Sequence, residues 1–186
     1  MQGKLFIISG SSGVGKGTLI KRFMENNPSL KLSISATTRK PRPGEVDGVN
    51  YFYITEEEFK KSIDNNEFLE WAVFSQNFYG TKQSFVEKSL AKGIDLILEI
   101  ETQGAFQVKE KIKDAVLIFI LPPSTEVLEQ RLRGRNTEDE ATINMRLDFA
   151  HKEIKAAEKF DYRVVNDNLD NAVDNLQKIF DMERNL

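Results

Sequence analysis

The chain has no cysteine, one histidine and one tryptophan among its 186 residues. The absence of cysteine excludes disulfides and thiolate metal sites. A single histidine, His151, gives poor support to a histidine-rich metal cage or a Ser-His-Asp triad. It lies in a polar helical stretch and reads as a surface residue. No apolar run approaches the roughly 20 residues that cross a bilayer, and the N-terminus lacks the charged, apolar, small-residue order of a secretion signal. A cytoplasmic protein without membrane association is therefore expected. Basic charge is not in excess either: 26 basic residues stand against 29 acidic ones, a formal net charge of −3. That balance argues against a nucleic-acid partner, whose binding surface is basic, while leaving room for local clusters that take small anions.

What is present is typical of one globular domain, with 40% apolar and 30% charged residues. Five β-rich runs stand out: Lys4–Ser9, Leu30–Ile34, Ile94–Glu99, Val116–Leu121 and Tyr162–Val165. Several are nearly continuous apolar stretches, as in strands covered on both faces. Helical patterns lie between most of them, at Thr18–Glu25, Gln83–Ala91, Thr102–Lys111, Thr125–Leu132 behind a Ser124 cap, and from a Thr137/Glu140 capping box toward Lys159. Leu169–Met182 carries apolar residues at the spacing of one buried helix face. Strands alternating with helices predict an α/β fold with a parallel sheet. Residues 35–82 break the rhythm. They hold a proline-rich turn, two β-like stretches (Val49–Ile54 and Phe68–Phe74) and a short helix capped by Thr55 and Glu58, and they read as an inserted subdomain.

The most informative stretch is Gly10-Ser11-Ser12-Gly13-Val14-Gly15-Lys16-Gly17-Thr18, placed where the first strand should become a helix. Its spacing is that of a phosphate-binding loop. Glycines let backbone N–H groups approach phosphate oxygens, the helix N-terminus adds partial positive charge, and Lys16 adds a full one. A plain glycine-rich turn is the competing reading, and the coincidence of strand, loop, lysine and helix disfavours it. The usual Ser or Thr after the lysine is here Gly17, so Thr18 is the candidate hydroxyl for a metal ion; whether it or a water serves stays open. The loop alone does not name a reaction.

A second anchor follows at residues 35–53, with Arg39 and Arg42 flanking Lys40-Pro41 and tyrosines at 51 and 53. Arginine forks onto phosphate through paired charge-assisted hydrogen bonds, and prolines stiffen the turn. Then come Phe68-Leu69-Glu70-Trp71-Ala72, Tyr79-Gly80-Thr81, Gln103-Gly104-Ala105, Leu121-Pro122-Pro123, Arg131-Leu132-Arg133-Gly134-Arg135 and Val165-Asn166-Asp167. In this order, and over nearly the whole chain, these pieces resemble the guanylate kinases, which move a phosphoryl group from ATP to GMP.

The resemblance implies a P-loop kinase core with a five-stranded parallel sheet flanked by helices (1–34, 83–133 and 147–186), an inserted GMP-binding subdomain (35–82) and a helical lid at about 134–146. It implies ATP with Mg²⁺, held by Gly10–Thr18 with Arg131, Arg135 and Asn166, and GMP or dGMP held by Ser35, Arg39, Arg42, Tyr51, Glu70, Tyr79, Thr81, Glu99 and Glu101. Thr18 is the metal candidate. Lys16, Arg39, Arg135 and Arg146 would carry the transfer, Gly134 could hinge the lid, and oligomeric state is left open. The chemistry of guanine fits: its N1–H and N2–H donors suit the two oxygens of Glu70, and its O6 acceptor suits a hydroxyl from Ser35 or Thr81. One departure is Glu99-Ile100-Glu101, where the family usually has Asp-x-Asp. Charge is kept and reach grows by a methylene, so acids that merely close a strand mouth compete with GMP contact and outer-shell help to Mg²⁺. Two further readings stand beside this one: another nucleoside monophosphate kinase, and a guanylate-kinase-like module that binds phosphorylated protein segments. Glu70 argues against the first. Lys16 and a chain ending at Leu186 with no room for a further domain argue against the second.

Overall fold

The computed structural model describes residues 2–134 and 140–185. In chain order the elements are β1 (Leu5–Gly10), α1 (Lys16–Glu25), β2 (Lys31–Leu32), β3 (Ala36–Thr37), β4 (Phe52–Tyr53), α2 (Glu56–Asp64), β5 (Phe68–Phe74), β6 (Asn77–Lys82), α3 (Gln83–Ala91), β7 (Leu96–Glu99), α4 (Thr102–Lys111), β8 (Val116–Leu121), α5 (Thr125–Arg133), α6 (Glu140–Ala156), a short 3₁₀ turn at Ala157–Lys159, β9 (Tyr162–Val165) and α7 (Leu169–Arg184). The alternation read from the sequence gives a five-stranded parallel sheet in the order β2-β7-β1-β8-β9. A second sheet, β4-β3-β6-β5, is antiparallel except where β3 meets β4. Among the described residues no helix is long and apolar enough to cross a membrane.

The chain packs as two compact units, one of Met1–Phe6 and Ser29–Ala115, the other of Ile7–Pro28 and Val116–Leu186, with β1 contributing to both. In the first, Phe59 on α2 stacks on Phe68 at 4.3 Å, and Ala36, Ile54, Ile63 and Phe78 close around them. The predicted capping box forms: the Thr55 hydroxyl accepts the Glu58 N–H while the Glu58 carboxylate accepts the Thr55 N–H. In the second unit, α1 packs on α7 through Phe23 and Phe180, rings 4.7 Å apart. Leu128 and Leu132 of α5 meet Leu147 and Ala150 of α6. The predicted face of α7 is buried at Ala172, Val173, Leu176, Ile179 and Phe180, and Ser124 caps α5 by accepting the Val127 N–H. His151 is exposed, as expected. Thr137, the expected cap of α6, lies outside the described residues.

Two local features differ from a plain reading of the residues. Tyr79-Gly80-Thr81, whose glycine suggests a turn, lie inside β6. The turn falls earlier, at Ser75 and Gln76, both at positive φ (47° and 67°), the geometry of a two-residue hairpin. Gly80 is demanded by packing instead: a Cβ there would lie 2.9 Å from the Phe68 ring and 3.0 Å from Phe59. The β-like pattern at Val49–Ile54 yields a strand only at Phe52–Tyr53. Upstream, the Asn50 and Asp47 side chains accept the N–H groups of Val46 and Tyr53, so local side-chain bonds win over strand pairing.

Candidate active site

The phosphate loop is built from backbone. β1 ends at Gly10, where a Cβ would come within 2.7 Å of the Ile120 carbonyl oxygen. Gly13 and Gly15 sit at φ 85° and 88°, conformations that side chains resist. Gly15 is also the N-cap of α1 and provides no side-chain oxygen to its first turn, which contains no acid. That helix end therefore keeps unpaired N–H groups and partial positive charge. Lys16 opens the helix, and Thr18 stands exposed one turn in. Among the described residues the buried Ser11 hydroxyl has no hydrogen-bond partner.

Arg131 and Asn166 brace this loop. The Asn166 Nδ2 donates to the Val14 carbonyl at 2.8 Å, and Arg131 donates to the same carbonyl at 3.1 Å and to the Asn166 carbonyl at 3.0 Å. These three bonds go to protein backbone in the loop and beside it. Gly134 is the C-cap of α5 at φ −64°, with its N–H on the Gln130 carbonyl. It ends a helix there without using the conformational freedom special to glycine. Arg146 is half-buried on α6, and Arg135 lies outside the described residues.

The second site is a cavity, partly open to solvent, within the first unit. Its wall gathers Ser35, Arg39, Arg42, Tyr51, Glu70, Tyr79, Glu99 and Glu101, every acceptor-side residue expected from the sequence except Thr81, and adds Ala72, Phe74 and Ile100. Thr81 is fully buried and donates its hydroxyl to Glu70 Oε1 at 2.6 Å. Its proton is committed to the carboxylate, which leaves Ser35 as the aliphatic hydroxyl on the wall, beside the phenols of Tyr51 and Tyr79. Glu70 is only 3% exposed. Burial pushes its pKa up to about 7, against the opposing pull of the Thr81 hydrogen bonds and the Lys111 charge, with Glu101 adding to the rise.

Arg39 is held by a residue the sequence left out of the site. Its two terminal nitrogens donate to the two oxygens of Glu45, each at 2.9 Å, and its guanidinium lies 5.4 Å from the Tyr51 ring centre and 5.9 Å from that of Tyr53. Glu45 also accepts the Arg42 N–H at 2.7 Å and the Tyr53 hydroxyl at 2.8 Å. The Arg39 hydrogen bonds are the largest of the causes that hold its carboxyl down at about 2. The Tyr51 phenol is pushed above its ordinary value by burial first and by Glu99 second, so it stays a hydrogen-bond donor at neutral pH. The signal for Glu45 was present as an acid six residues after Arg39 across a proline-rich turn, but spacing in a turn does not specify a pairing as helix spacing does.

Comparison with known proteins supplies the remaining evidence. The pattern of the family described as "Guanylate kinase" matches residues 2–183. The guanylate kinase of Caldanaerobacter subterraneus subsp. tengcongensis is 51% identical over 98% of this chain and 89% of its own length. That of Synechocystis is 50% identical over 98% of this chain and 96% of its own, and that of Clostridioides difficile 48% identical over 99% and 90%. A crystal structure of guanylate kinase from Anaplasma phagocytophilum superimposes with a TM-score of 0.81 at 32% identity, covering 98% of this chain and 86% of that one. A backbone-built phosphate loop, a cavity joining arginines and tyrosines to a buried glutamate, and this near full-length likeness lead to one assignment: the chain belongs to the guanylate kinase family, the ATP:GMP phosphotransferases.

Proposed function

We propose that Gly10–Thr18 holds the phosphates of ATP, that the Glu70 cavity holds GMP or dGMP, and that the γ-phosphoryl group passes directly from one nucleotide to the other. An oxygen of the GMP phosphate attacks the γ-phosphorus, the bond to the β–γ bridging oxygen breaks, and ADP leaves with that electron pair. ATP and GMP become ADP and GDP, and the step is reversible. Such a transfer needs alignment and neutralised charge more than covalent help. Lys16 and the first turn of α1 supply positive potential on the donor side, with Arg131 and Asn166 bracing the loop. Arg39 and Arg42, with the Tyr51 and Tyr79 hydroxyls, hold the acceptor phosphate. Arg135 and Arg146 complete the charge on the moving group. Glu70 takes guanine N1–H and N2–H, Ser35 faces O6, and Glu99 and Glu101 line the remaining wall toward base and ribose.

The donor set suits magnesium, a hard cation that keeps most of its shell in water and substrate phosphate and takes few protein oxygens. Thr18, an exposed hydroxyl in the first turn of α1, is the protein ligand we assign. When bound, the ion neutralises phosphate charge that builds up during transfer. In this reading residues 1–34, 83–133 and 147–186 are the core, 35–82 the acceptor subdomain and about 134–146 the lid, and the enzyme works in the cytoplasm.

The observation that carries the assignment is the cavity that lines a buried carboxylate and two arginines on one wall. Adenine offers a lone pair at N1 where guanine offers a proton, so AMP denies the Glu70 carboxylate the donors guanine brings, at a cost of about 1–3 kcal/mol or more. A coupled assay with GMP, dGMP, AMP, UMP and CMP tests it. GMP and dGMP should turn over fastest; faster turnover of AMP than of GMP would refute the base assignment.

A further inference from the structure

Glu70 stands on β5, one of the two edge strands of the β4-β3-β6-β5 sheet. Its pairing with β6 slips in register between Phe68 and Glu70. An edge strand leaves one row of backbone groups without a strand partner, and a bulge loosens the backbone further. A carboxylate that must match two donors on a purine edge is poorly served by such a strand.

Helix α4 closes that edge with side chains. The Gln107 amide accepts the Trp71 N–H at 3.1 Å and donates to the Trp71 carbonyl at 2.8 Å, doing for one residue what a neighbouring strand would do. The Lys111 ammonium donates to the carbonyls of Phe68 at 3.1 Å and Leu69 at 2.6 Å. Gly104 faces Glu70 itself: a Cβ there would collide with the carboxylate. Positions 104, 107 and 111 follow the i, i+3, i+7 spacing of one helix face. That face therefore grips the backbone on both sides of Glu70 and leaves room for its side chain. Lys111 also acts on Glu70 electrostatically, favouring its charged form.

We propose that the Gly104–Gln107–Lys111 face of α4 sets guanine specificity, with Gln107 and Lys111 as positioning residues that fix the height and orientation of Glu70. This rests on Glu70 reading the base. Neither residue lines the cavity, so their effect passes through β5.

The test compares Q107L, K111M, K111R and E70Q with the parent for KM of GMP, KM of ATP and the GMP-to-IMP ratio of kcat/KM. IMP lacks the 2-amino group, so the ratio measures how well a carboxylate meets N2–H. Q107L and K111M should each raise the GMP KM roughly five- to tenfold, the size expected from losing a pair of hydrogen bonds. They should lower the GMP-to-IMP ratio by a similar factor and leave the ATP KM within twofold. K111R, which keeps the charge and the donors, should recover most of the loss. Should Q107L unfold, the isosteric Q107E keeps the acceptor for the Trp71 N–H, loses the donor to its carbonyl, and is judged by the same ratio. An unchanged ratio in the folded Q107 and K111 variants, or equal rises in both KM values, overturns the proposal if E70Q still collapses the ratio. An unchanged ratio in E70Q itself overturns the base assignment, and this inference with it.

Discussion

In the phosphate loop the donors are backbone groups, shaped by glycines at φ 85° and 88° and by a helix that begins without a side-chain cap. In the Glu70 cavity the polar groups on the wall are side chains, and two of them are held by neighbours: Arg39 by the Glu45 carboxylate, which also accepts the Arg42 backbone N–H and the Tyr53 hydroxyl, and Glu70 by the Thr81 hydroxyl. On the proposed assignment, the difference follows from what each site has to distinguish. Phosphate is the same on every nucleotide, and main-chain N–H groups suffice for it. A purine edge differs from its competitors by one proton, so the reading group has to be a placed side chain with a controlled charge. A backbone site should depend steeply on the one side chain that adds full charge, and a side-chain site should show graded losses through its supports.

The steepest loss is expected at Lys16. Lys16→Ala removes the full positive charge beside the loop while leaving the glycine geometry intact. Turnover should fall by roughly two to three orders of magnitude, the usual size for losing a charge that stabilises a transition state, with no change in unfolding midpoint. A loss below tenfold, measured under ATP saturation, would mean that the backbone carries the donor side alone.

Next comes Glu70. Glu70→Gln swaps one acceptor for a donor, and the GMP KM should rise roughly ten- to hundredfold while the ATP KM holds. The parent should show a matching pH signature. The carboxyl titrates at about 7 in the unliganded protein, and guanine needs it ionised, so the GMP KM should climb as pH falls below 7, by up to about tenfold per unit. A phosphate monoester has its own second ionisation near 6, so Glu70→Gln should erase the limb near 7 and keep the lower one. Linkage fixes the sign for stability. A carboxyl raised on folding stabilises the protein below its ordinary range and loses that contribution as pH rises through 7. Unliganded parent protein should therefore lose stability between about pH 5 and 7 and level off above 7, and Glu70→Gln should not. Glu45 does not confuse the measurement: held down at about 2, it stays ionised across the whole window, and its contribution is lost only in strong acid.

Glu45 is the third and milder case. Glu45→Gln keeps the shape and loses the charge that grips both arms of Arg39. The GMP KM should rise roughly three- to tenfold, as for a charge-assisted pair weakened near the surface. A fall in KM would show instead that Glu45 competes with phosphate for Arg39.

The same contrast explains what could be read from the chain before its structure. The loop was legible in full, from Gly10 to Thr18, because glycine spacing encodes backbone conformation directly. The limits of α3, α4, β8 and β9 matched their sequence patterns for a similar reason: helical periodicity and unbroken apolar runs are local signals. That Glu70 and Arg39 belong together, as they do on one cavity wall, was legible by chemistry and by resemblance. Their supports were not. Glu45 lies in a turn, where spacing fixes no partner, and Gln107 and Lys111 reach β5 from 36 to 43 positions along the chain. Such a pairing depends on how a helix lies against a strand edge. β6 was hidden as well, because Gly80 looks like a turn residue until the Phe59 and Phe68 rings take up the space a side chain would need.

The smallest effect is expected where a backbone site leans on a side chain. Asn166 is 7% exposed, and its amide donates to the Val14 carbonyl, which also accepts from Arg131. Asn166→Ala removes one of two donors to that carbonyl and leaves the other. It also opens the space beside Gly15, where a Cβ would lie 2.9 Å from Asn166 Nδ2. The loop keeps its glycines and its helix, so the ATP KM should rise only about two- to fivefold, with the GMP KM unchanged and stability lowered by about 1 kcal/mol. Titration calorimetry with each nucleotide, beside chemical unfolding, measures all three. A loss as large as that of Lys16→Ala would mean that the loop is no self-sufficient backbone cradle but is propped by side chains, as the acceptor cavity is, and the contrast between the two sites would disappear.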